Sequence, residues 1–227
     1  RLSMRRGRLF AFSRFFVRRY IGRWQADVPE RQGPAVYVCS HTNLLGPLAA
    51  LCWLPFPVRP WVYHVFMEKG SCRAQYRDFT FPKRFGMPDP LASFCAWASA
   101  GYVSRLMASL GGIPVYRGSR RIIETFRETI AALQAGDPVL IFPDVDYTDE
   151  GAGIGAVYNG FLKLDRFWSR VSSAPLDFVP LRLETEERRI VAGPAVRFDR
   201  AADRREELVR VREALRREIN RANLSAP

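Results

Sequence analysis

The 227-residue sequence predicts an α/β fold: a single layered domain with a mixed, largely parallel sheet flanked by helices, preceded by an amphipathic N-terminal helix. Three observations lead there. Short apolar runs with the composition of buried strands recur along the chain, each bounded by Gly, Pro or polar residues. Segments whose apolar residues follow helical spacing lie between them. Hydrophobic residues make up 48% of the chain, enough for one full core, and no repeat, low-complexity tract or linker divides it. On this reading residues 1–30 form a basic N-terminal segment and residues 31–227 the α/β domain.

Residues 1–24 interleave arginines with Leu9, Phe10, Phe12, Phe15, Phe16, Tyr20 and Trp24, and no acidic residue precedes Asp27. Phe12, Phe16 and Tyr20 share one helical stripe, with Leu9 a turn earlier. Such a helix suits a bilayer interface, with rings at the headgroup boundary and arginines on anionic lipid; packing on the core with a solvated basic face is the plainer account. Gln32-Gly33-Pro34 breaks the chain, and Ala35–Cys39 reads as a buried strand ending at Ser40-His41. Leu48–Trp53 predicts a short helix and Trp61–Phe66 a second strand. Residues 70–90 read as a long surface excursion, and Leu91–Leu110 as a helix. Gly112–Tyr116 is a third strand. Ser119 caps a helix carrying Ile122, Phe126, Ile130 and Leu133 that stops at Gly136. Val139–Phe142 is the fourth strand, residues 144–160 a loop, and Phe161–Val171 a helix. Phe178–Leu183 and Ile190–Phe198 read as strands. A final amphipathic helix over Asp199–Asn223 has Leu208, Val211, Leu215 and Ile219 on its apolar stripe, with Glu206/Arg210 and Glu213/Arg217 at pairing distance.

The chain carries 35 basic and 23 acidic residues, a net charge of +12, which favours an anionic partner. Nucleic acid is not expected, since neither zinc-ligand spacing nor a helix-turn-helix or RNP-type pattern accompanies the charge. Cys39, Cys52, Cys72 and Cys95 are too far apart for a CxxC pair, so they read as small buried hydrophobes and no metal site is expected. The apolar residues 44–67 are interrupted by prolines and Arg59, so no span crosses a bilayer there. The chain opens on Arg1, and no leader or anchor is assigned from its start.

Three strand ends carry chemistry. His41 follows the first strand, where an imidazole titrating near neutrality suits a general base. Gly112-Ile113-Pro114-Val115-Tyr116-Arg117 is a Gly-led strand ending in arginine, and Phe142-Pro143-Asp144 follows the fourth strand. Thr42 and Asn43 are placed to donate hydrogen bonds near a reacting carbonyl, or simply to cap the next helix. His64 reads as a core or interface histidine. Trp53, Phe56, Trp61 and Phe66 line an apolar groove or pack in the core.

This order of motifs resembles the lysophosphatidate/glycerophosphate acyltransferases, the PlsC-like family. The family has a histidine followed by an aspartate at the place of Gly46, a Gly-rich strand ending in arginine, Phe-Pro-Glu-Gly-Thr-Arg, and a Val-Pro strand. Here they correspond to Ser40-His41, Gly112–Arg117, Phe142-Pro143-Asp144-Val145-Asp146 and Val179-Pro180, with Gly160 like the family's Lys-Gly segment. The likeness runs from about residue 10 to 220. It implies transfer of a fatty acyl group from an acyl thioester, CoA or acyl carrier protein, to a lipid or polar hydroxyl acceptor. No other cofactor is implied, and the work would be done peripherally on the cytoplasmic side of a membrane. His41 matches the base; Thr42, Asn43, Gly112, Arg117, Phe142, Pro143 and Gly160 would bind substrate. Gly46 leaves the orienting carboxylate without a match, so Asp144 or Asp146 is expected to partner His41. A catalytically impaired member that binds lipid or acyl carrier is the alternative. The acidic loop, with Asp144, Asp146, Asp149 and Glu150, disfavours a phosphate dianion and favours a neutral or cationic acceptor, whereas Arg117 keeps one phosphate-binding position.

Overall fold

Ala35–Cys39 is the strand around which the sheet is built. All five residues are buried, so every backbone amide and carbonyl in the run must find a partner. A strand flanked on both sides satisfies them. The computed structural model, which describes residues 7–84, 86, 88–143 and 159–221, sets this strand, β2, fourth in a seven-stranded sheet. The others are β1 (Gln25–Asp27), β3 (Arg59–Tyr63), β4 (Ile113–Val115), β5 (Val139–Ile141), β6 (Asp177–Glu184) and β7 (Arg189–Ala192). Their order is β1-β7-β6-β2-β5-β3-β4. Strands β6, β2, β5, β3 and β4 run parallel, with Tyr37 opposite Leu140 on one side and Val179 on the other. β7 is antiparallel to β6, and β1 is parallel to β7. The chain is thus a single α/β domain with a mixed, largely parallel sheet.

Seven α-helices complete the described residues: α1 (Arg8–Ile21), α2 (Leu45–Trp53), α3 (Lys69–Gln75), α4 (Asp89–Ser109), α5 (Ile122–Gln134), α6 (Leu164–Trp168) and α7 (Arg204–Asn220). Alternation along the strands divides the core in two. Val36, Val38, Val139 and Ile141 face α5, α6 and α7, meeting Phe126, Leu164 and Val211. Tyr37, Cys39, Leu140 and Leu181 face the other way, onto Ala49, Ala50 and Leu54 around α2. Helix α4 packs chiefly on α3 and the turns over Tyr76–Arg84, and less extensively on α1, and buries a stripe of small residues, Ala92, Ala96, Ala100 and Ser104. No helix among the described residues is long and apolar enough to cross a membrane.

The structure corrects several expectations. The stretch read as a surface excursion is helical: α3 continues into π-wound turns over Tyr76–Arg84 before α4. The strand expected over Trp61–Phe66 is β3, which begins at Arg59, with Pro60 within it opposite Leu140, and ends at Tyr63; His64–Phe66 form a tight turn instead. The strand expected over Ile190–Phe198 stops at Ala192. Beyond it Gly193 lies so near Pro180 that an added Cβ would meet that ring at 2.9 Å, and only Val196 returns to pair with Phe178. α6 is shorter than the helix expected over 161–171, and is entered through a 3-10 turn at Asn159–Lys163. The last helix starts at Arg204, not at 199. Asp203 caps it by accepting hydrogen bonds from the amides of Arg205 and Glu206.

The expected Glu206–Arg210 pair is replaced by one with Glu207, whose carboxylate is buried against the end of the sheet. Arg210 donates to it at 2.6 and 2.8 Å, and the Asp199 amide at 2.7 Å. These donors, Arg210 first, hold the Glu207 carboxyl far below its ordinary 4.5, at about 2. A depressed folded-state pKa stabilises the fold above the unfolded value, and that contribution disappears as pH falls from about 4.5 through about 2. Glu207→Gln is expected to cost roughly 1–2 kcal/mol at neutral pH and to flatten this acid-side decline, as measured by denaturant titration at several pH values.

Candidate functional site

In an open α/β sheet a crevice forms at the carboxyl ends of two neighbouring strands whose onward connections leave in opposite directions. β2 and β5 are such a pair. The chain after β2 goes to β3, which lies beyond β5; the chain after β5 goes to β6, which lies beyond β2. α2 covers one face and α6 the other. The residues that leave these two strand ends are Ser40-His41 and Phe142-Pro143. The rings of His41 and Phe142 meet edge-on, with centroids 5.7 Å apart and planes at 78°. Two segments about a hundred positions apart in sequence are thereby brought to one crevice. Phe142 and Pro143 are buried and His41 is partly exposed.

The backbone around His41 is tightly determined. Its carbonyl accepts hydrogen bonds from the amides of Leu44 at 3.2 Å and Gly46 at 3.1 Å. Thr42 and Leu44 both have positive φ, 38° and 96°, where side-chain-bearing residues are rare. The hydroxyls of Ser40 and Thr42 are 2.9 Å apart. Such strained turns persist only where the surroundings over-determine them. Here the cause is close packing. Gly46 is buried so near the turn that an added Cβ would lie 1.9 Å from the Ser40 carbonyl oxygen. Position 46 therefore does more than lack a carboxylate, because it has no room for any side chain.

The remaining expected residues divide into those brought to this edge and those that are not. Arg117 follows the carboxyl end of β4 and is partly buried; Asn43 belongs to the turn after His41. Gly112 precedes β4, away from that edge, and is packed so closely that a Cβ would meet Val62 at 3.0 Å and the Met107 carbonyl at 3.1 Å. Gly160 lies in the 3-10 turn leading to α6. Asp144 and Asp146 fall outside the described residues. The apolar quartet also splits. Phe56 packs on the α2 face, whereas Trp61 packs on the opposite face and donates to the Thr129 hydroxyl at 2.9 Å.

His64 stands at the same edge as His41, directly after β3. Its Nδ1 lies 3.1 Å from the Val115 carbonyl, which can only accept, so Nδ1 carries the proton. Its ring sits 4.9 Å from both Tyr63 and Tyr116, and Arg121 stacks on Tyr116 at 3.9 Å. The signal was available in sequence, since His64 ends its apolar run just as His41 ends its own. None of the four cysteines forms a disulfide; Cys39, Cys52 and Cys72 are buried, and burial pushes the Cys72 thiol up to about 11. No protein-family model, curated protein or solved structure matches this chain.

Restoring a side chain at position 46 is expected to damage the site. Gly46→Ala should lose on the order of 3 kcal/mol, at the upper end for overpacking, because the obstructing atom is backbone. Gly46→Asp should lose more and gain no activity. Thermal and denaturant unfolding of the two variants, alongside a thioester-release assay, checks both outcomes.

Proposed function

We propose that this protein is a membrane-associated O-acyltransferase, with the crevice between β2 and β5 as its reaction site. The observation that supports this most directly is the edge-on contact of His41 with Phe142, which unites the two most informative motifs at a topological switch point. The imidazole removes the proton from an acceptor hydroxyl, whose oxygen forms a bond to the carbonyl carbon of an acyl thioester. The tetrahedral intermediate collapses with cleavage of the C–S bond. The thiolate takes the proton back from the imidazolium, leaving an ester and a free thiol. The amino end of α2, which begins beside His41, adds positive partial charge on the side where an oxyanion develops. Asp144 or Asp146 supplies the carboxylate that orients the imidazole, a role closed to position 46. The acceptor is a lipid or polar hydroxyl, preferred neutral or cationic because of the acidic loop. The acyl donor is a CoA or acyl-carrier thioester attracted by the +12 charge. The protein works from the cytoplasmic face of the membrane as a peripheral protein.

A second reading, a non-catalytic acyltransferase-fold protein that binds lipid or acyl carrier, is favoured by the steric closure at Gly46. Thiol release from an acyl thioester, measured with a panel of hydroxyl acceptors, separates the two. His41→Ala is expected to lower turnover by roughly 10²–10⁴-fold, and Asn at 144 or 146 to lower it where that carboxylate orients the base. Turnover equal to that of the His41→Ala variant in the unaltered protein would leave the binding reading standing.

A further inference from the structure

Helix α1 places its aromatic stripe outward. Phe12, Phe15, Phe16 and Tyr20 are all exposed, Tyr20 at 91%. Its inward side is anchored on α4. The Gly7 amide donates to the Ser109 carbonyl, the Phe10 amide to the Ser109 hydroxyl, and Ser13 pairs with the Tyr102 hydroxyl at 2.7 Å. These contacts run in opposite directions along the two helices, so α1 and α4 lie side by side and antiparallel. α4 exposes its own apolar residues, with Leu91 at 49%, Phe94 at 64% and Trp97 at 56%. More than half of the exposed large apolar side chains among the described residues belong to this one pair of helices. A surface facing only water does not normally gather so many large apolar side chains on two neighbouring helices.

The charges beside it have an unusual arrangement. Arg14 and Arg18 converge on one oxygen, the Cys52 carbonyl at the end of α2; Arg14 Nε is 2.8 Å away, and Arg18 approaches at 2.9 and 2.6 Å. Arg18 also covers the Trp53 ring at 5.4 Å. A groove of about 480 Å³ runs past them, lined by Phe10, Ala11, Arg14, Phe15, Arg18 and Arg19. Eight arginines and no acidic residue occupy positions 1–24. Burial, and then the neighbouring Arg18 guanidinium, lower the Arg14 pKa. Two guanidiniums held together by one shared carbonyl oxygen, with an apolar wall beside them, fit a phosphate attached to a hydrocarbon body.

We propose that α1 and α4 form a bilayer-docking face in which the Arg14–Arg18–Arg19 groove seats the phosphate of an anionic lipid headgroup, while the aromatic rings of both helices enter the acyl boundary. Charge complementarity selects the lipid surface over a second copy of the chain, because two copies meeting through this face would bring both sets of arginines together. The inference refines the membrane association in the proposed function and does not require acyl transfer.

The test uses the whole chain with phosphatidylglycerol-containing vesicles, pure phosphatidylcholine vesicles and inorganic phosphate. Trp97 serves as reporter, since Trp24 and Trp168 are buried and Trp53 and Trp61 half-buried. Co-sedimentation with the phosphatidylglycerol vesicles is expected, weakening steeply with salt and roughly tenfold or more below that level with phosphatidylcholine. Trp97 emission should shift to the blue and be quenched by brominated lipid, and Trp97→Phe should abolish that signal. Arg14→Gln/Arg18→Gln and Phe94→Ser/Trp97→Ser should each weaken vesicle binding roughly tenfold. Arg19→Gln, at a residue that does not hold Cys52, should weaken it severalfold even where the double arginine variant fails to fold. His41→Ala should bind vesicles like the unaltered protein, which separates failure of this proposal from failure of the catalytic reading. Binding unaffected by the α4 or the Arg19 variant would overturn the proposal. So would thermal stabilisation by inorganic phosphate equal to that by the phosphatidylglycerol vesicles, or a dimer that Phe94→Ser/Trp97→Ser converts to monomer.

Discussion

The pairing of β2 with β5 on one side and β6 on the other is the constraint from which the rest follows. Five consecutive buried residues, Ala35–Cys39, leave their backbone no access to water, so both edges of the strand must be hydrogen-bonded. The partners come from distant sequence, near 140 and near 180. Once they are in place, parallel direction carries the residues after β2 and β5 to a common edge. The two outgoing connections then part, toward β3 and toward β6, which makes this edge a topological switch point, where ligand crevices form in such sheets. The contact between His41 and Phe142 is the consequence of this topology and needs no further attraction to hold it.

Gly46 ties that topology to local strain. The first turn of α2 folds back under His41, close enough for the Gly46 amide to reach the His41 carbonyl at 3.1 Å. Only a residue without Cβ permits this approach, and the tight return forces Thr42 and Leu44 to positive φ. Glycine here therefore belongs to a different local packing from one that would carry an orienting carboxylate on α2. A side chain at position 46 is sterically excluded by the Ser40 carbonyl, so no acid partner for His41 can come from there. In the proposed function the partner is therefore sought among the acidic residues that follow Pro143 in the sequence.

Much of the layered order was legible from composition and periodicity. β2, β5 and β6 are continuous buried runs, and α5 and α7 show clean helical spacing, with Gly136 at positive φ ending the first. What escaped has physical causes. β1 is three residues long and exists through its pairing with β7, which no local pattern announces. The π-wound turns after α3 lack the period of an α-helix, and their polar residues and Pro82 read locally as a loop. Pro60 within β3 argued locally against a strand, and lost to burial beside Leu140. In the site, the strand-end positions of His41 and Phe142 could be read in sequence because parallel strands share an edge. Their adjacency could not, since β2 and β5 are separated by two intervening strands in the chain. The meaning of Gly46 was equally hidden: sequence reveals a missing carboxylate, whereas the missing space is a property of three dimensions.

The helix pair α1–α4 bears on the crevice through the same topology. α4 ends three residues before β4 begins, so its carboxyl end lies at the amino edge of the sheet, and the start of α1 is bound there to Ser109. α1 then runs the other way, turns at Gly22 with φ of 80°, and delivers Gln25 to the Arg188 carbonyl beside the β6–β7 hairpin, at the carboxyl edge. Tyr20, at the far end of α1, and the first turns of α4, with Leu91 and Phe94, thus stand at the edge that holds His41. A bilayer in contact with both helices would meet the domain along its flank, with the crevice opening near the headgroup level. Under the proposed function, an acceptor lipid would then leave the membrane only partly to reach the imidazole, its chains staying in apolar surroundings. The two proposals thus place the exposed aromatics and the strand-end histidine at one membrane surface, a link that neither feature requires alone.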